Sequence, residues 1–80
     1  MDFGTNRYFE LNGEWYYAGN DGAILKGPQT IDGVKVYFHQ NGIQAKGYFV
    51  KDEEDNKSRY YDKDTGALAP NQYVIAYNPY

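Results

Sequence analysis

Short runs in which apolar and polar residues alternate recur along the chain, each bounded by glycine-containing turns. Over 34–38, Val34, Val36 and Phe38 alternate with Lys35 and Tyr37. That period of two belongs to a half-buried strand. No stretch carries the 3.6-residue period of an amphipathic helix. Asn41-Gly42 is a strong hairpin signal, since both residues tolerate the positive φ of a type I′ turn. Counting outwards pairs Gln40 with Ile43, His39 with Gln44, Phe38 with Ala45 and Tyr37 with Lys46. Val34, Val36, Phe38 and Ala45 then share a core face, and Lys35, Tyr37, His39, Gln44 and Lys46 share the other.

The pattern repeats. Shifting 13–27 by 20 residues lays Gly13 on Gly33, Tyr17 on Tyr37 and Asp21-Gly22 on Asn41-Gly42. A further shift of 24 lays 42–50 on 66–74. Hairpins are therefore expected at about 14–27, 34–47 and 58–71, the last with a three-residue loop Asp64-Thr65-Gly66. Asp32-Gly33 is a second turn signal in the link between the first two. Residues 1–9 read as the tail of a preceding repeat, and 51–57 as a solvated acidic loop around Asp52, Glu53, Glu54 and Asp55. Hairpins too small to bury their own faces must stack on their neighbours. The expectation is one all-β module over 1–80, a solenoid-like array of tandem short β-hairpins. Its unpaired end faces predict weak self-association.

Composition narrows the function. The chain has 80 residues and no cysteine, so neither disulfides nor thiolate metal sites support its thin core. Ten Tyr, four Phe and one Trp supply most of the apolar surface, and tyrosine suits half-exposed recognition faces. A net charge of −3 without a basic run argues against nucleic acid and anionic membrane. No apolar stretch is long enough for a membrane-spanning helix. The acidic run lacks the alternating ligand spacing of a calcium loop, so no metal or other cofactor is expected. His39 has no orienting partner, Ser58 no triad companion, and the acids lie in turns and one loop, so no catalytic residue is expected either.

On residues alone, the Tyr37 face has two readings: a binding platform, or packing against the next hairpin. Trp15 likewise reads as a platform or as a core plug, and a core this thin favours the plug.

The ordered motifs favour the binding platform by resemblance. Gly-Glu-Trp-Tyr-Tyr at 13–17, Leu25-Lys26-Gly27, Gln29-Thr30-Ile31-Asp32-Gly33, Gln44-Ala45-Lys46-Gly47 and Arg59-Tyr60-Tyr61-Asp62 carry it. Over about 6–74 the chain resembles the cell-wall-binding and glucan-binding hairpin repeats of Gram-positive secreted proteins, most like the glucan-binding domain of glucansucrases (glucosyltransferases). The choline-binding branch puts a Gly-Trp pair after the second strand, whereas Pro28 and Tyr48 follow Gly27 and Gly47 here. A tryptophan cage for a quaternary ammonium is therefore not expected. The resemblance implies a secreted or cell-surface module that holds α-glucan without catalysis, with a sucrose-dependent glucosyltransferase as its parent. Its site would use Tyr37 as platform, Gln44 and Lys46 as hydrogen-bond partners, and Gln29 and Thr30 to close the pocket. Tyr17 and Lys26 would form a half site in the first hairpin, where Ile24 replaces the glutamine. Choline-type attachment and a ligand-free spacer are the competing expectations.

Overall fold

Seven short strands follow one another with no helix among the described residues. The computed structural model describes residues 4–52 and 56–75, with side chains to Ala69. β1 (Arg7–Leu11) pairs with β2 (Glu14–Ala18), and β3 (Gly27–Ile31) with β4 (Val34–Phe38). β5 (Tyr48–Asp52), β6 (Lys57–Tyr61) and β7 (Leu68–Ile75) form a three-stranded sheet. All pairs are antiparallel, and the principal extents are 48 × 22 × 22 Å. The all-β hairpin array is as the sequence implies.

The hairpins, however, are phased differently along the chain. The two-residue turns are Asn12-Gly13 and Asp32-Gly33, with Leu11 opposite Glu14 and Ile31 opposite Val34. Their φ values are 54° and 81°, and 53° and 79°. Both positions are left-handed, as a type I′ turn requires. The expected hairpins at 14–27 and 34–47 are thus corrected: β2 and β4 pair mainly with the strands before them. Residues 7–9, assigned above to a preceding tail, belong to β1, the first strand of the first hairpin. The expected hairpin at 58–71 overlaps the β6–β7 pair, in which Tyr61 faces Leu68 and the register shifts between Arg59 and Tyr61. Strand pairing reaches Asp52 and resumes at Lys57, which shortens the expected 51–57 loop. Its residues Glu53, Glu54 and Asp55 lie outside the described residues, as does 76–80.

Asn41-Gly42 closes a loop of another kind. Only Gly42 has positive φ. Gly42 N–H donates to the His39 carbonyl at 2.8 Å, and His39 N–H donates to the Ile43 carbonyl at 2.8 Å. The loop is therefore Gln40-Asn41-Gly42, a three-residue connection with glycine at the left-handed bulge. The Asn41 side chain accepts from Ile43 N–H at 3.0 Å, an Asx turn that keeps Asn41 out of the left-handed region. Phe38 then bridges Gln44 rather than Ala45. A one-residue slip moves a side chain to the other face, and it takes Gln44 inside.

The core forms between the first two hairpins. Ile31, Val36 and Phe38 are buried together, with Tyr8, Tyr17 and Leu25 packed against them. Phe38 and Ala45 are fully buried as expected, whereas Val34, at the turn, is exposed. Tyr8 meets Tyr17 edge-on with centroids 4.8 Å apart, which joins the two strands of the first hairpin.

Candidate functional site

The second loop passes under the first hairpin. Gln44 N–H donates to the Trp15 carbonyl at 2.8 Å, which ties the loop to β2. On its other side the loop meets 62–66. There Asp62 Oδ2 accepts from Asp64 N–H and Thr65 N–H, both at 2.9 Å, and from the Thr65 hydroxyl at 3.2 Å. These bonds to Thr65 and Asp64 lower the Asp62 pKa below its ordinary value. The loop is one residue longer than expected: Gly66 N–H donates to the Asp62 carbonyl, and Asp62 N–H to the Ala67 carbonyl.

Between these three segments lies a cleft of about 410 Å³, lined by Glu14, Trp15, Gln44, Lys46, Tyr48 and Asp64 among others. A second lobe of about 280 Å³ shares Trp15, Gln44, Lys46 and Asp64 and reaches Tyr8 and Thr65. The Lys46 ammonium sits 4.9 Å from the centre of the Trp15 ring and donates to the Asp64 carbonyl at 3.3 Å. This cation–π contact fixes the cation over one aromatic wall. Tyr48 forms another wall. Its hydroxyl shares a hydrogen bond with His39 Nε2, and the two rings stack at 15°. Burial and the nearby Glu14 carboxylate raise the Tyr48 pKa.

Gln44 is the unusual member. It is 5% exposed, and neither its amide nitrogen nor its amide oxygen makes a hydrogen bond. The Tyr8 hydroxyl lies near enough for the Gln44 amide to offset part of the burial that raises the Tyr8 pKa, without closing a bond to it. A buried amide left without partners costs about 1–3 kcal/mol. Gly66 packs against this side chain so closely that a Cβ at 66 would lie 2.2 Å from the Gln44 nitrogen.

The structure brings Gln44 and Lys46 together and leaves the other expected site residues elsewhere. Tyr37 lines a different cleft, with Pro28, Arg59 and Tyr61. Gln29 donates to the Lys26 carbonyl at 2.8 Å, Thr30 is exposed opposite Lys35, and Tyr17 packs on Tyr8. Lys26 is exposed and lines neither lobe. Trp15, expected to plug the core, is instead a half-buried wall of the cleft. The sequence signal for it was its position beside the turn, on the outer stretch of the first hairpin. Among the described residues no group of acids, histidine or cysteine is placed to hold a metal ion.

Comparison with known proteins agrees with this architecture. The chain is 50% identical over 74 residues to Glucosyltransferase-I of Streptococcus downei, covering 91% of this chain and 5% of that protein. It is 46% identical to Glucosyltransferase-S of the same organism over 65 residues, 81% of this chain and 5% of the relative. The chain thus spans about one-twentieth of the length of these relatives. Among solved structures, a truncated alternansucrase from Leuconostoc mesenteroides superposes with a TM-score of 0.69 at 32% identity, over 80% of this chain and 5% of that one. Choline binding protein F from Streptococcus pneumoniae superposes with a TM-score of 0.68 at 28% identity, over 78% and 20% respectively. The choline-binding repeat profile matches residues 25–73, and the chain belongs to that repeat family.

Proposed function

We propose that this chain is a non-catalytic carbohydrate-binding module that holds α-glucan in the cleft of Trp15, Gln44 and Lys46. The observation that carries the reading is the unpartnered Gln44 amide among aromatic walls. A pyranose presents C–H groups to an aromatic face and a rim of hydroxyls that both donate and accept. Trp15 and Tyr48 meet the first need. Gln44, with one donor and one acceptor face, meets the second, as does Lys46. Stacked C–H contacts are worth about 0.5–1 kcal/mol each, so one such cleft holds sugar weakly, with Kd on the order of 1 mM. Useful affinity comes from many repeats acting together.

The glucosyltransferase relatives support the sugar, while the choline-binding repeat profile is equally compatible with choline-type attachment. Alternansucrase, similar in structure to this chain, is known in complex with isomaltononaose and with isomaltotriose. Within that reading the module serves a secreted, cell-surface glucosyltransferase of a Gram-positive bacterium. Amide NMR during titration with isomaltotriose tests it. Shifts should cluster on Trp15, Gln44, Ala45 and Lys46 and vanish in a folded Gln44→Leu variant. Choline shifting the same amides, with isomaltotriose silent at ~10 mM, ten times the expected Kd, would replace glucan with the attachment reading.

A further inference from the structure

Asn12-Gly13 and Asn41-Gly42 are the two Asn-Gly pairs of the chain, and the fold treats them differently. In such a pair the glycine nitrogen can close on the asparagine side-chain carbonyl, making a five-membered ring. Glycine has no Cβ to hinder that approach. What remains to decide the reaction is how the fold has engaged the two groups.

At Asn41-Gly42 both are engaged. Gly42 N–H donates to the His39 carbonyl at 2.8 Å, and Asn41 Oδ1 accepts from Ile43 N–H at 3.0 Å. Gly42 is also buried against the first hairpin, where a Cβ would lie 2.6 Å from Ile24 and 3.2 Å from Tyr16. Ring closure there has to break two hydrogen bonds and lift the loop from its seat. At Asn12-Gly13 neither group is engaged. Both residues are exposed, and among the described residues neither the Asn12 side chain nor Gly13 N–H has a hydrogen-bond partner. A Cβ on Gly13 would meet nothing within 4 Å. Rotation of this turn disturbs only the end of the β1–β2 ladder.

We propose that Asn12 is a spontaneous modification site, converted through ring closure by Gly13 to aspartate or isoaspartate, while its loop keeps Asn41 intact. The Gly13 nitrogen gives its proton to solvent base as the N–Cγ bond forms. The Cγ–Nδ2 bond breaks, and ammonia leaves after taking a proton from solvent. Water then opens the cyclic imide. Opening at Cγ gives aspartate; opening at the Asn12 backbone carbonyl leaves the chain running through Cβ and Cγ as isoaspartate. One water is consumed and one ammonia released, with no change of oxidation state. The site does not depend on what the Trp15 cleft holds.

The two products differ in consequence. Asp32-Gly33 already makes the aspartate form of this turn, at φ 53° and 79° against 54° and 81° for 12–13. Aspartate at 12 therefore fits. Isoaspartate adds a backbone carbon to a two-residue turn, which breaks the Leu11–Glu14 pairing and displaces the adjoining Trp15. Gly13, Glu14 and Trp15 line the cleft, and the Trp15 carbonyl holds Gln44 N–H. The isoaspartate form thus carries a disturbed cleft.

Incubation of the folded chain in warm, mildly alkaline buffer, followed by peptide mass mapping, tests this. Two hydrogen bonds that must first be broken correspond to a rate lower by about tenfold to a hundredfold. Asn12 should convert faster than Asn41 by that factor in the folded chain. In concentrated urea, where both are plain Asn-Gly, the two rates should be nearly equal. Asn12→Asp, which copies position 32, should fold and lose the fast phase of ammonia release. Asn41→Asp, which copies position 21, should keep that phase. Among the separated products, the aspartate form should give the amide spectrum of Asn12→Asp, and the isoaspartate form should shift Trp15 and Gln44. The proposal is overturned if Asn12 stays intact as long as Asn41 in the folded chain, if urea leaves their ratio unchanged, or if the fast ammonia phase survives Asn12→Asp. An isoaspartate form with Trp15 and Gln44 unmoved would overturn the coupling to the cleft.

Discussion

The loops after β2 and β4 can be laid on each other bond for bond. In the first, Gly19 N–H donates to Ala23, Gly22 N–H to Gly19, and the Asp21 carboxylate accepts from Ala23 N–H. In the second, His39, Gly42 and Asn41 make the same three bonds. Ala18 bridges Ile24 as Phe38 bridges Gln44. A Cβ on Gly42 would strike Ile24 at 2.6 Å, just as one on Gly66 would strike Gln44 at 2.2 Å. Each bridging side chain is thus a seat for the glycine of the next loop. The backbone is common and the chemistry is not. Ile24 satisfies its place by dispersion, while Gln44 brings an amide there and leaves it unpaired. One position in the repeat separates an apolar joint from a joint that carries an unpaired amide.

The largest test makes the second loop more like the first at its base. Phe38→Ala installs the residue found at 18 and empties the centre of the core. The expected loss is about 3–5 kcal/mol, which an 80-residue fold can hardly survive; urea unfolding monitored by tryptophan fluorescence measures it. Next comes the seat itself. Gly66→Ala should cost about 2–4 kcal/mol, since φ is +77° and the Cβ meets Gln44. Gly13→Ala, at φ +81° with open space around it, should cost only about 1–2 kcal/mol. Equal losses would show that Gln44 yields and that the seat is loose.

A smaller and more informative change is Gln44→Ile, which copies position 24. It should raise stability by about 1–2 kcal/mol, because the unpaired amide disappears, while isomaltotriose binding is lost. A drop in stability would mean that Gln44 has partners in solution that the fold supplies. The smallest effect is on pH. The Asp62 carboxyl has a folded pKa below its ordinary 3.8. Its contribution is therefore present above that value and is lost as pH falls through the folded pKa. Below pH 3.8 the 62–66 loop should loosen, seen as broadening of the Asp64 and Thr65 amides, and Asp62→Ala should show it already at neutral pH.

Repetition, strand content and the buried trio of Val36, Phe38 and Ala45 were legible in the sequence, because periodicity survives small errors of register. The phase of the hairpins was not. Asn12-Gly13, Asp32-Gly33 and Asn41-Gly42 are nearly the same dipeptide, yet only the first two form I′ turns. An asparagine or aspartate can serve as a left-handed turn residue or as a side-chain acceptor for the next loop bond. Which role it takes depends on the strand that arrives from outside the loop. Half of the site was legible for the same reason. Gln44 and Lys46 are close in sequence, but Trp15 reaches them only through stacking of the first hairpin on the second loop. Tyr37 shares a strand with the core and lines a different cleft, because the one-residue slip takes Gln44 off its face.

The cleft takes Trp15 from the first hairpin, Gln44 and Lys46 from the second loop, and Asp64 from the third. Its walls therefore move whenever one unit slides past the next. The Gln44–Trp15 and Lys46–Asp64 bonds lie across those joints, whereas the ladder bonds of each hairpin lie within a unit. Pulling along the array loads the joints before the ladders. On the function proposed above, a sugar seated there would bridge three successive units and act as a brace, so that occupancy and stiffness of the array would rise together.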